Sequence, residues 1–250
     1  MNTNDVRSAR RLLTILQYFA QTRTPASLSQ VSMALDIPKS DCMALFDALE
    51  EEGYAHQSGG RYYLTRRWFD EASAIAEHDQ LTERVRPVLD TLRENLRETL
   101  ILAQRSGDQV VYLQVAEPER IVRFTARPGE RKPLHAAASG RALLHAMAPA
   151  EREALIERLR LVRYTERTPA TREQLRKALQ DGIARGYHVN FGEHQPDTLS
   201  VAVPVVLFDT PYALAVGAPL ERAKPQVEEI GKLLREAARE LGGGENAAQP

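Results

Sequence analysis

Residues able to carry out bond chemistry are few in this 250-residue chain, and their placement narrows the options quickly. The single cysteine, Cys42, excludes an intramolecular disulfide and any Cys–Cys metal pair, as fits a reducing compartment. Zinc-finger chemistry is therefore out. A thiol-dependent catalyst needs its nucleophile at the substrate, yet no cysteine follows residue 42. His135 follows Pro133 and Leu134 with no acidic residue at local metal-ligand spacing, so it reads first as a buried hydrogen-bonding residue. His188 and His194 flank Asn190 and Glu193; imidazole and carboxylate are metal-ligand types, but no full ligand set is evident. The expectation is no metal and no cofactor.

What remains is recognition chemistry. Ala136, Ala137, Ala138, Ser139 and Gly140 carry no bulky side chain and lead into a helical segment, so an anion can approach the free N–H groups of a helix start. Near the other terminus, Arg7, Arg10 and Arg11 crowd the start of a helix. Positive charge there opposes the helix dipole, and a nearby phosphate would relieve the conflict; the alternative reading is a solvated basic turn.

The elements that position these groups follow from hydrophobic spacing. Val6, Ala9, Leu12, Leu13, Leu16, Phe19 and Ala20 predict an amphipathic helix over 5–21. Ser27, Leu28, Ser29 and Gln30 have capping-box spacing and open a short helix with Leu28, Val31, Ala34 and Leu35. Asp36, Ile37 and Pro38 break it, and Ser40 can cap a third helix that turns Cys42, Leu45, Phe46 and Leu49 inward and ends at Gly53. Short helix, tight turn and second helix make a helix-turn-helix. Strands over 54–57 and 61–64, joined by Ser58, Gly59 and Gly60, add a wing. A linker helix is expected over 66–79. From Leu81 the pattern is α/β: a helix to about residue 98, strands at 100–104, 109–115 and 121–126, then a helix carrying Leu143, Leu144 and Met147. Helices at 150–160 and 171–185, strands at 199–207 and 212–218, and a helix over 225–241 complete it.

The expected class is α+β, with a winged helix-turn-helix at 1–65, a linker helix at 66–80, an α/β domain at 81–242 and a disordered tail at 243–250. The chain's 33 basic and 34 acidic residues leave a net charge of -1, which excludes coating of nucleic acid by bulk positive charge. Residues 1–67 hold eight basic and seven acidic residues, so any DNA contact rests on placement rather than on total charge. No segment approaches the ~20 apolar residues of a membrane span, and the N-terminus lacks a signal-peptide pattern. A cytoplasmic location and no membrane partner are expected.

Several segments share a likeness: Arg7 to Leu13, Ile37 to Ser40, Leu49 to Tyr54, Arg86 to Leu92, Pro133 to Ala136 with Ser139 to Leu144, Arg185 to Tyr187, and Ala202 to Val205. Together they resemble the IclR family of bacterial transcriptional regulators. The resemblance implies a GAF-like effector domain behind the winged module, and a homodimer or homotetramer on a palindromic double-stranded operator. It places DNA contacts at Arg7, Arg10, Arg11, Ser29, Lys39, Ser40, Asp41, Met43, Ala44 and Arg61. Family members commonly carry Thr, a basic or imidazole residue and Arg where this chain has Asp41, Met43 and Ala44. Each missing arginine-to-guanine contact removes about 1–3 kcal/mol of discrimination, and Asp41 or Asp47 would repel phosphate unless accepting from cytosine.

The resemblance also places effector contacts at Phe124, Lys132, His135, Ala138, Ser139, Asn190, Thr198, Ser200, Ala215 and Gly217. Members that take small hydroxy or keto acids have Ser at the last-strand positions and Cys at the position of Ser200. Ala215 and Gly217 would enlarge the cavity and remove donors, favouring an aromatic or aryl-substituted carboxylate. Lys132 reads either as a partner for that carboxylate or as a surface residue beside Arg131. Trp68 and Phe69 are expected to pack between protomers. The function implied is a ligand-responsive repressor or activator of a catabolic operon; the alternative is a GAF-like enzyme or sensor whose winged module no longer binds DNA specifically.

Overall fold

The computed structural model describes residues 3–76 and 79–243, in two units, residues 1–79 and 80–250. The first contains α1 (Thr3–Thr22), α2 (Leu28–Leu35), α3 (Lys39–Glu51), β1 (Ala55–Ser58), β2 (Arg61–Leu64) and α4 (Arg67–Ala76). The capping box forms: Ser27 accepts from the Gln30 amide while the Gln30 side chain accepts from the Ser27 amide. Asp36 then turns through a left-handed conformation, φ 52°, which its short polar side chain tolerates.

Ile15, Phe19, Val31, Ile37, Cys42, Phe46, Leu49 and Tyr62 form this unit's core, with the Phe46 and Tyr62 rings stacked at 4.0 Å. An isolated bridge between Ala26 and Tyr62 fastens the segment before α2 to the wing. The stripe expected on α1 is displaced: Ile15 is buried, whereas Leu13 is 58% exposed. Trp68 makes contacts within its own chain. Its indole donates to the Tyr54 carbonyl at 3.1 Å and its ring packs on Tyr54, while Phe69 stays exposed.

The second unit contains α5 (Gln80–Leu96), β3 (Thr99–Ser106), β4 (Gln109–Ala116), β5 (Arg131–Pro133), α6 (Ala138–His145), α7 (Pro149–Arg158), α8 (Arg172–Arg185), β6 (His188–Phe191), β7 (Thr198–Leu207), β8 (Thr210–Pro219), α9 (Leu220–Ala223) and α10 (Val227–Gly243). Six strands form one antiparallel sheet in the order β5-β4-β3-β8-β7-β6. Alternation along β3 sends Leu100 and Leu102 to one face and Ile101 and Ala103 to the other. The first face buries Val85 and Leu89 of α5 with Ile230 and Leu234 of α10. The second buries Leu143, Leu144, Leu155, Ile156, Leu175 and Leu179, from α6, α7 and α8, over small residues including Ala202, Ala213 and Ala215. This α/β/α arrangement is the architecture expected of the effector domain.

Three expectations need correction. Residues 121–126 are not a strand; they lie in a loop in which Ile121 and Val122 are exposed. Side chains hold the loop instead: Glu117 accepts from the Ala126 amide and pairs with Arg123, Thr99 donates to the Phe124 carbonyl, and Arg222 donates to the Val122 carbonyl. The edge strands β5 and β6 are present but too short, at three and four residues, to show a period. The last helix reaches Gly243, so the expected tail does not begin there; the rest of it, 244–250, lies outside the described residues. Among the described residues no helix is long and apolar enough to cross a membrane.

Candidate functional site

On the first unit, α2, its turn and α3 set out the candidate nucleic-acid interface. Ser29 is exposed on α2, and Lys39, Ser40, Met43 and Ala44 are exposed on α3, with Asp47 one turn beyond. Arg7 and Arg10 are exposed on α1 and Arg61 at the start of the wing strand β2, where it donates to the Pro25 carbonyl at 3.1 Å. The three N-terminal arginines stand in the second and third turns of α1, not before it, so the dipole conflict is weaker than expected because that field fades within the first turn. Arg11 is also engaged, forming an ion pair with Asp41 of α3. Asp41 thus does not face phosphate as an unanswered charge.

On the second unit, a cavity lies where the N-terminus of α6 meets β4, β5, β7 and β8. Eight of the ten expected residues line it: Phe124, Lys132, Ser139, Asn190, Thr198, Ser200, Ala215 and Gly217. His135 and Ala138 do not. The His135 ring is buried, with Nε2 2.9 Å from the Val162 carbonyl, and Ala138 is packed into the core. Ile101, Tyr112, Ala136, Ala137, His194 and Gln195 complete the wall. The cap residue Ala137 supplies no side-chain bond to the helix, so the first N–H groups of α6 lack an intrahelical acceptor.

The enclosed space is small: about 30 Å³ is open to the centre of a water molecule. The room expected beside Gly217 is filled by Phe124, since a Cβ on residue 217 would stand 2.6 Å from the Phe124 ring. Lys132 belongs to the pocket, but its ammonium is already 2.7 Å from Glu130. His194 packs against Tyr164 at 4.7 Å between ring centroids. Burial holds its pKa down, with Lys132 and His135 adding repulsion, so it presents a neutral imidazole near pH 7.

Beneath the cavity is a bracket that sequence reasoning missed. Asn190, expected to contact ligand, is used by the scaffold: its Nδ2 donates to the Ala136 carbonyl at 2.7 Å, and its Oδ1 accepts from the Glu193 amide at 2.7 Å. Arg141, 1% exposed, donates to Glu193 at 2.5 and 3.0 Å, to the Val189 carbonyl at 2.6 Å and to the His135 carbonyl at 3.3 Å. Thr165 and Thr168 donate to the carbonyls of Gly192 and Glu193, and Arg167 donates to that of Phe191 at 3.3 Å. The loop after β6 is thereby clamped against the start of α6. A signal for this was present: Arg141 stands inside a helix of small and apolar residues, where a charge requires a partner.

The two histidines considered for a metal have separate neighbours. His188 Nε2 lies 3.2 Å from His145 Nδ1, and burial, with Arg141, His145 and Arg185 nearby, holds the His188 pKa down at about 3. His194 faces the pocket. Among the described residues no group of three or more metal-ligating side chains gathers.

Comparison with known proteins matches these two units to two family models: the IclR helix-turn-helix domain over residues 8–59 and the bacterial transcriptional regulator IclR C-terminal domain over residues 73–242. The HTH-type transcriptional regulator BhcR of Paracoccus denitrificans is 29% identical, over 97% of this chain and 88% of its own. An IclR-type regulator from Silicibacter superposes with a TM-score of 0.78 at 26% identity, covering 97% of this chain and 98% of that one. An IclR homologue from Microbacterium hydrocarbonoxydans, crystallised with 4-hydroxybenzoate, superposes with a TM-score of 0.79 at 25% identity, covering 96% of this chain and all of that one. The chain belongs to the IclR family: it is a DNA-binding transcriptional regulator with an effector-binding domain, not an enzyme.

Proposed function

We propose that this regulator senses a small organic carboxylate, preferentially an aryl one, in the pocket at the start of α6, and controls a catabolic operon in the cytoplasm. The observation that carries this reading is the uncapped N-terminus of α6 opening on an enclosed cavity that also holds Lys132. A carboxylate there accepts from the free N–H groups of Ala138 and Ser139. Lys132 exchanges Glu130 for the ligand, and the hydroxyls of Ser139, Thr198 and Ser200 complete its polar contacts.

The present cavity holds about one or two waters, so the ligand enters by displacing Phe124 from Gly217. The space vacated over Ala215 and Gly217 suits a flat ring, and the 4-hydroxybenzoate complex of the Microbacterium homologue supports that choice. Arg7, Arg10, Ser29, Lys39 and Arg61 position the winged module on phosphates of a palindromic operator bound by a homodimer or homotetramer. Ligand and operator each favour one arrangement of subunits, and so alter each other's affinity by the same factor.

The test is thermal melting of the full chain with short aliphatic acids and with benzoate-type acids, followed by operator titration with any acid that stabilises. A ligand at a hundred times its Kd stabilises by about 2.7 kcal/mol. Benzoate-type acids are expected to raise Tm and to change operator affinity. Stabilisation by aliphatic acids alone removes the aryl reading, and stabilisation without any change in operator affinity removes the sensing role.

A further inference from the structure

The outer face of α3 has an unusual chemistry for an element that reads DNA. Lys39 is its one basic residue between Lys39 and Glu51. Ser40, Met43, Ala44 and Asp47 stand at positions i, i+3, i+4 and i+7, so they form one stripe along the helix. All four are exposed, Met43 by 53%. The remaining polar residue of the first turn, Asp41, is turned to Arg11 of α1. The stripe therefore offers base edges a hydroxyl, a thioether chain, a methyl group and, one turn further, a carboxylate.

Each base pair presents a distinct pattern in the major groove. Guanine shows two acceptors, which an arginine fork would bind; thymine shows a methyl group; cytosine shows an amino donor. Met43 and Ala44 have nothing to donate to guanine. Apolar side chains instead gain by covering a methyl group that water would otherwise surround. Asp47 accepts from an amino group and is repelled by guanine's acceptors.

We infer that α3 recognises its half-site mainly through thymine C5-methyl groups packed on Met43 and Ala44, with a cytosine 4-amino group donating to Asp47. This inference rests on the operator-binding reading above and adds the base chemistry to it. Arg7, Arg10, Lys39 and Arg61 supply register through phosphates and carry no sequence information. The Arg11 to Asp41 pair keeps the acidic residue nearest the start of the helix from opposing that approach.

The experiment selects binding sites for the full chain from a randomised duplex pool, then replaces thymine by uracil one position at a time. Uracil keeps the pairing and the O4 acceptor and removes only the methyl group. At a contacted position affinity is expected to fall about fourfold for each methyl removed, and about fifteenfold when both half-sites are altered together; uracil outside the contacted positions leaves it unchanged. With Met43→Gln the ratio of thymine to uracil affinity at its position should fall to about one, and Met43→Arg should redirect selection toward guanine. Asp47→Ala should relax the cytosine preference alone. Selected sites that bind uracil and thymine duplexes equally at every position, or that are guanine-centred for the natural chain, overturn the inference. Failure to select or shift any duplex at low salt would instead overturn the operator-binding reading beneath it.

Discussion

Single side chains decide what this pocket can hold. Phe124 occupies the room that Gly217 leaves, so the absence of a side chain at 217 admits a ring rather than leaving an open cavity. Ala215 and Gly217 read as added space, but their residue types do not show that Phe124 claims the room beside Gly217. Asn190 was legible as a polar residue at the pocket, yet one of its partners, Ala136, lies 54 residues away, and only folding brings it there; the other, Glu193, is three residues on. The contact between buried His188 and half-buried His145 gives a prediction at this scale. Unfolded imidazole takes its proton near pH 6.5, whereas folded His188 does so only at about 3. Between those values the unfolded chain binds more protons, so stability falls as pH drops below about 6.5 and is level above it with respect to this group. His135, His145 and His194 are held down in the same direction by burial. Urea midpoints of the second unit should fall from pH 7 to pH 4.5, with His188 contributing up to about 1.4 kcal/mol per pH unit. His188→Asn should flatten that slope; an unchanged slope would contradict the assignment.

Among the elements, those with strong periods are legible in the amino-acid sequence alone. The helix-turn-helix follows from the capping box at Ser27, the break at Asp36 to Pro38 and the inward stripe of α3; β3, β4, β7 and β8 follow from apolar runs bounded by turns. The error at 121–126 has a physical cause. Ile121 and Val122 have strand-forming side chains, but Pro118 and Pro128 bracket the segment, and its stabilising bonds come from Glu117, Thr99 and Arg222 rather than from a ladder. The capping box is testable: Ser27→Ala removes the acceptor for the Gln30 amide and should cost about 1 kcal/mol. Calorimetry should show the first unit melting earlier and the second unchanged; equal losses in both would contradict the division into units.

Over the whole molecule, with net charge near zero, the number of phosphates met by a few placed cations sets how DNA binding responds to salt. Arg7, Arg10, Lys39 and Arg61 are exposed cations proposed above to meet phosphate, and Arg11 is engaged by Asp41. Two copies would contact about eight phosphates, giving a slope of log affinity against log salt of about -7. Arg10→Gln should reduce its magnitude by about 2 in a dimer; titrations by fluorescence anisotropy between about 50 and 200 mM salt check both, and a slope unaffected by Arg10→Gln would place that residue off the DNA. The sheet also constrains assembly through its borders. One border, β5, is a three-residue strand of Arg131, Lys132 and Pro133; on the other, Arg141 and Arg167 already occupy the carbonyls of Val189 and Phe191. Exposed strand borders invite another chain to join the ladder and continue it indefinitely, but here charge, proline and arginine caps occupy both. Any copies of this chain that assemble would then meet through helices and loops, where contacts can close symmetrically and growth stops at a fixed number of copies.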